Sequence, residues 1–168
     1  MWLDLSKIIE MPGAEKSFEL TLDSERLTDP AVRGYAYPPE ASGKVVNTAG
    51  LLNLRGTVKA KMNCVCDRCG RSFDREKVLR VDVPLVADAD EDEVGPEIFE
   101  IEGDGIDLSE VLETCFLLDM ESKQLCAEDC KGLCPICGKD LNDGPCSCEK
   151  PKDPRFAVLQ QLLDGESE

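Results

Sequence analysis

Ten cysteines and not one histidine constrain this 168-residue chain more than any other feature of its sequence. The opening stretch MWLDLSKIIEMPG has no basic n-region, sustained apolar run or small-residue cleavage site, so it does not read as a signal peptide. No apolar run approaches the ~20 residues needed to cross a bilayer. The expectation is a cytoplasmic protein. A reducing compartment disfavours structural disulfides, so thiols in such number point to metal binding or redox chemistry. Without histidine, the commonest general base and the commonest nitrogen ligand are both missing. Any metal must then be held by sulfur, or by sulfur with carboxylate.

The spacing of the cysteines favours metal. Cys66-Asp67-Arg68-Cys69-Gly70 and Cys134-Pro135-Ile136-Cys137-Gly138 share the pattern C-x2-C-G. Two thiolates so spaced reach one ion, turn N–H groups can bond the sulfurs, and glycine takes the positive φ the turn requires. Cys126, Cys130, Cys146 and Cys148 bring the clustered cysteines to eight, enough for two tetrahedral zinc sites. The preferred pairing is local, with Cys134, Cys137, Cys146 and Cys148 in one site. Cys126 and Cys130 then join Cys66 and Cys69 in a second site that staples the tail to a hairpin tip. The alternative joins the two knuckles, leaving Cys126, Cys130, Cys146 and Cys148 together. A thiol redox protein is the competing reading, but redox C-x-x-C pairs open a helix after a strand, and neither knuckle precedes a helical pattern. Cys64 and Cys115 follow apolar periodicities and read as small core residues.

The periodicities predict an α+β fold: an antiparallel β-hairpin-based sheet packed by one or two helices, with a zinc-bound cysteine-rich C-terminal segment. Residues 2–10 are a short amphipathic piece, helix or strand. Phe18, Leu20 and Leu22 alternate as in a strand. Residues 28–43, with three prolines and two glycines, read as loop. In residues 57–66, Val58, Ala60, Met62 and Cys64 share one parity and the polar residues the other. In residues 77–86, Leu79, Val81, Val83 and Leu85 share a side. The first knuckle sits between these strands as the tip of a long hairpin. Residues 87–105 read as a mobile acidic loop, with a short strand at 98–101. Asp107 can cap a helix over 107–120, with Glu110 placed for a capping box. That helix has Leu108, Val111, Leu112, Cys115 and Phe116 on one face. Asp153-Pro154 opens a last helix carrying Phe156, Leu159, Leu162 and Leu163. The expected organisation is a core domain over 1–125, a zinc-binding segment over 126–150, and a C-terminal helix and tail over 151–168.

Net charge is −16, which repels nucleic acid and attracts basic partners. Residues 55–80 run against it, with eight basic residues (Arg55, Lys59, Lys61, Arg68, Arg71, Arg75, Lys77, Arg80) against three acidic ones. Residues 81–122 hold fifteen acidic residues and no basic one, which solubility alone accounts for. No phosphate-binding glycine loop, nucleophile elbow or other catalytic set is present, and a four-thiolate zinc site leaves no open coordination position. The chain therefore reads as a non-enzyme.

CDRCGRSF at 66–73, the tail C-x3-CKGLCPICGKDLN followed by CSC, and the ending DPRFAVLQQLL together resemble the bacterial YceD family of large ribosomal RNA subunit accumulation proteins. The likeness spans most of the chain. It implies a role in accumulation or processing of large-subunit ribosomal RNA, and so in ribosome assembly. The family's shared cysteine pair falls on Cys66 and Cys69, while the other six clustered cysteines match the tail of one branch. Lys59, Lys61, Arg68, Arg71 and Arg75 are the candidate RNA contacts. Scarce aromatics near them argue against base-specific reading. The other candidate partner is a basic protein, such as a newly made ribosomal protein, bound by the acidic run 81–122.

Overall fold

The computed structural model of the chain describes residues 1–87 and 98–148. The expected C-terminal helix and residues 88–97 of the acidic loop lie outside them. Two compact units divide the chain, Met1–Cys126 and Ala127–Glu168.

The first unit is mostly sheet with a couple of helices. Strand β1 (Trp2–Asp4) leads into the one-turn helix α1 (Ser6–Ile9), so residues 2–10 are strand and helix in succession. Strands β2 (Glu15–Thr21), β3 (Val32–Tyr35) and β4 (Glu40–Thr48) follow. Two fifteen-residue strands, β5 (Leu51–Val65) and β6 (Ser72–Val86), make the long hairpin. Strands β7 (Phe99–Glu100) and β8 (Gly105–Asp107) then lead into helix α2 (Leu108–Leu118). The main sheet runs β2-β4-β5-β6-β7, with β3 paired to β5 beside β4, and β1 and β8 form a separate ribbon. All pairs are antiparallel except β6 with β7.

The expected loop over 28–43 is corrected by β3 and the start of β4. The glycines and prolines there do punctuate the chain, but tertiary pairing overrides them: Val32 and Tyr35 line up with Cys64 and Met62 of β5 across a register shift. The short strand expected at 98–101 is β7, which pairs with Leu85 and Val86 of β6.

Period-two alternation fixes which side of the sheet is dry. Leu52, Leu54, Val58, Ala60, Met62 and Cys64 of β5 are buried, as are Leu79, Val81, Val83 and Leu85 of β6. Each valine, leucine or methionine among them contributes about 1.5–3 kcal/mol on withdrawal from water. Helix α2 covers this layer with Leu108, Val111, Leu112 and Phe116, all buried, while Cys115 is half-buried at the rim. Asp107 caps α2 by accepting from the Ser109 N–H at 2.9 Å. Glu113 is also buried on α2 and is answered by the Arg26 guanidinium at 3.1 Å. Apolar periodicity gave no sign of that pair.

Gly43 and Gly56 face each other across β4 and β5, and the ring of Phe18 lies over them. A Cβ on Gly43 would stand 2.3 Å from the Arg55 carbonyl oxygen, 2.6 Å from Gly56 Cα and 2.9 Å from the Phe18 ring. Gly43→Ala should therefore cost about 1–3 kcal/mol in urea unfolding, because two of the three obstacles are backbone. A stability equal to that of the parent chain would show that the strands separate there without strain.

Candidate metal centres and basic residues

Both knuckles fold by the same local rule. At the β5–β6 tip, Cys66 N–H donates to the Arg71 carbonyl at 2.8 Å and Gly70 N–H donates to the Cys66 carbonyl at 2.8 Å. In the second unit, Cys134 N–H donates to the Lys139 carbonyl at 2.8 Å and Gly138 N–H donates to the Cys134 carbonyl at 2.9 Å. Gly70 has φ 71 and Gly138 φ 72, the left-handed region in which a Cβ is strained. The turn leaves N–H groups aimed at sulfur. Ile136 N–H points at Cys134 Sγ from 3.5 Å.

Sulfurs of Cys66, Cys69 and Cys126 lie within 4.8 Å of one another. So do those of Cys134, Cys137, Cys146 and Cys148. Within the first unit Cys126 stands with the first knuckle, and within the second Cys146 and Cys148 stand with the second. A tetrahedral ion with bonds of about 2.3 Å to sulfur separates its ligands by about 3.8 Å. Cys69 Sγ and Cys126 Sγ are 3.7 Å apart, which fits that spacing and is far beyond a disulfide bond. Either group could hold a metal ion.

Several contacts place these thiols. Asp67 N–H donates to the Gln124 carbonyl at 2.9 Å, and Gln124 N–H donates back to Asp67 Oδ2 at 2.7 Å. That reciprocal pair lays residues 124–126 along the knuckle and delivers Cys126. Arg75 reinforces it by donating to the Leu125 carbonyl at 3.0 Å and pairing with Glu121. In the second unit, Leu141 N–H donates to the Gly132 carbonyl at 2.9 Å, and Asn142 Oδ1 accepts from Lys131 N–H at 2.8 Å. Asn142 Nδ2 reaches Cys130 Sγ at 3.4 Å. Neither the backbone of Gln124 nor the carboxamide of Asn142 carried a signal in the sequence. Asp67 lay inside the knuckle but was indistinguishable there from solvated charge.

The electrostatics of the thiols match metal ligation. Burial raises the Cys66 thiol, yet donors from the backbone of Cys126, Cys69 and Arg68 and from the Cys69 side chain outweigh it and bring the pKa down to about 6. Backbone N–H groups of Cys137 and Ile136 bring Cys134 down to about 6 as well. Each group thus has one thiol ready to ionise, and the thiolate is the form that binds metal. Cys148 is pushed up to about 12, chiefly by its hydrogen bond with Cys137 and by burial, as the last proton of a crowded set must be. Cys64 is fully buried and desolvation raises its pKa, which suits an inert core thiol. Neither knuckle opens a helix: the first continues into β6, and turns and a bridge follow the second.

The five candidate RNA contacts do not form one patch. Lys59 and Lys61 stand on the wet face of β5, and Arg68 and Arg71 are exposed at the knuckle. Arg75 sits opposite Met62 and so on the dry face, with its guanidinium over the Phe73 ring at 5.5 Å and paired with Glu121. Lys77, opposite Ala60, is held the same way by Asp119. On the wet face cations alternate with carboxylates. Arg55 pairs with Asp82 at 3.2 Å, Lys44 with Glu15 at 2.7 Å, and Lys61 lies opposite Glu76.

The model of the family described as "Large ribosomal RNA subunit accumulation protein YceD" matches residues 54–163. The chain belongs to the YceD family. That span covers the hairpin from Leu54 onward and all eight clustered cysteines. An uncharacterized protein of Mycobacterium tuberculosis is 29% identical over 183 aligned positions, taking in 100% of this chain and 84% of that protein. A protein of Mycobacterium bovis, also uncharacterized, is similar to the same degree. An Arabidopsis thaliana protein named "Large ribosomal RNA subunit accumulation protein YCED homolog 1, chloroplastic" is 26% identical over 157 positions, which cover 76% of this chain and 49% of the plant protein. No solved structure matches the chain. Among the described residues of this YceD-family chain, no helix is long and apolar enough to cross a membrane.

Proposed function

We propose that this chain is a non-enzymatic, cytoplasmic zinc protein of large-ribosomal-subunit assembly that supports accumulation or processing of large-subunit ribosomal RNA. Its membership of a family described by that role carries the reading. Two groups of four thiols support the zinc: Cys66, Cys69, Cys126 and Cys130 hold one ion, and Cys134, Cys137, Cys146 and Cys148 the other. Four thiolates close a tetrahedral shell, so each ion is structural and its binding energy is folding energy. Lys59, Lys61, Arg68 and Arg71 contact RNA phosphates. Arg75 instead anchors residues 121–125 beside the first knuckle.

A second reading rests on the charge pattern. Carboxylates answer Arg55, Arg75 and Lys77, and the whole chain carries −16. A surface so neutralised suits a basic ribosomal protein, held by the acidic run 81–122 until assembly. Such binding weakens steeply with salt.

Elemental analysis of the purified chain should find about two zinc ions, by ligand count. Cys66→Ser and Cys134→Ser should each remove about one, while Cys64→Ser removes none. Loss of zinc from the Cys64 variant alone would overturn the ligand assignment. For the RNA reading, crosslinking in cells should enrich large-subunit ribosomal RNA, and Arg68→Glu with Arg71→Glu should lower the yield several-fold while the protein stays folded. Recovery of basic ribosomal proteins without that RNA would support the second reading instead.

A further inference from the structure

We propose that the wet face of the β5–β6 hairpin binds the sugar-phosphate backbone of double-helical RNA, with Arg80 as a contact beside Lys59 and Lys61. The inference rests on the RNA reading above and narrows it to one face and one form of RNA. Several cations of the hairpin are answered inside the chain. Arg55 pairs with Asp82, Arg75 with Glu121 and Lys77 with Asp119. Among the described residues, Lys59, Lys61 and Arg80 form no ion pair. That holds even though Glu40 stands opposite Lys59 and Glu76 opposite Lys61.

The three cations share one face. Val58, Ala60 and Met62 of β5 and Leu79 and Val81 of β6 are buried, so odd positions of β5 and even positions of β6 lie on the side away from the core. Lys59 and Lys61 are two residues apart on one strand, a step of about 6.5 Å. Lys59 is opposite Val78, and Arg80 is opposite Thr57. Lys59 and Arg80 are therefore diagonal neighbours across the ladder, about 7–8 Å apart. Val78, 61% exposed, lies between them. Three like charges at such steps repel one another, and a polyanion with regularly spaced charges removes that repulsion.

Neighbouring residues on this face select the form of RNA. Ser42, Thr57 and Arg80 make one row across β4, β5 and β6, which sets two hydroxyl-bearing residues in line with the guanidinium. Such groups bond phosphate and the ribose 2′-hydroxyl. No aromatic residue occupies the wet positions between 40 and 44 on β4, 55 and 61 on β5, or 76 and 82 on β6. A single strand bound without regard to sequence relies on aromatic platforms for its bases. A duplex keeps its bases inside and is held by backbone and shape. Glu76 and Asp82 bound the cationic strip along β6, and Glu40 flanks it on β4. Those carboxylates confine the contact to about three phosphates, one for each cation.

Binding of the full chain to short RNA duplexes over a range of salt concentrations tests this. A duplex taken from large-subunit ribosomal RNA and a scrambled duplex should bind alike, and the corresponding single strands several-fold more weakly. Lys59→Ala and Arg80→Ala should each weaken both duplexes several-fold and make the slope of log K against log salt shallower by about 1. Lys7→Ala, which removes an exposed charge from α1, should change neither. If the parent chain binds no RNA of any form, the RNA reading fails and this proposal with it. Duplex binding that survives both alanine substitutions would overturn the proposal alone, and its loss in R68E/R71E would then place the contact at the knuckle. Tighter binding of the single strands would overturn it as well. So would competition by polyglutamate as effective as that by RNA, which would assign the face to an acidic protein segment.

Discussion

The pairing of β5 with β6 is the interaction on which the rest of the structure depends. It runs unbroken from Leu52 opposite Leu85 to Val65 opposite Ser72. A ladder of that length does two separate jobs. Its middle lays Leu54, Val58, Leu79 and Val83 against α2 and makes the core. Its far end carries the first knuckle beyond α2, where thiols and ion pairs take over from apolar packing. Arg75 and Lys77 mark the change. Both keep the parity of the buried residues, yet both meet carboxylates and carbonyls of residues 119–125. Cationic side chains suit the dry face there because the chain covering it presents oxygen.

That division explains which parts were legible in the sequence. Val58, Ala60, Met62 and Cys64 alternate strictly, and a one-residue slip would expose all four, so the hairpin and its dry face could be read directly. Asp107 followed by an apolar stripe likewise announced α2. The segment over 28–43 was misread because β3 is held by long-range pairing with β5, which local composition does not encode. Arg75 was grouped with Lys59 and Lys61 by nearness in sequence, although its parity already set it on the opposite face. The local grouping of the thiols was legible because four cysteines within fifteen residues close most cheaply on themselves. The devices that hold them, the Gln124 main chain with Asp67 and the Asn142 side chain with Lys131, were not, since single hydrogen bonds of this kind leave no periodic trace.

Charge has a corresponding order. The basic stretch 55–80 is not a continuous positive surface. The ladder sorts its residues onto two faces, and neighbouring carboxylates answer several of them. Arg68 and Arg71 are exposed at the hairpin tip, within the knuckle that carries Cys66 and Cys69. The acidic remainder of the chain opposes non-specific attachment.

The central claim is that two closed, all-sulfur zinc sites complete this fold. X-ray absorption at the zinc edge of the purified full chain tests it most directly. The account predicts a shell of four sulfurs at about 2.3 Å around each zinc and no nitrogen or oxygen in that shell. A light-atom ligand, or an average of fewer than four sulfurs, would contradict it, because one of the two groups would then be open or incomplete.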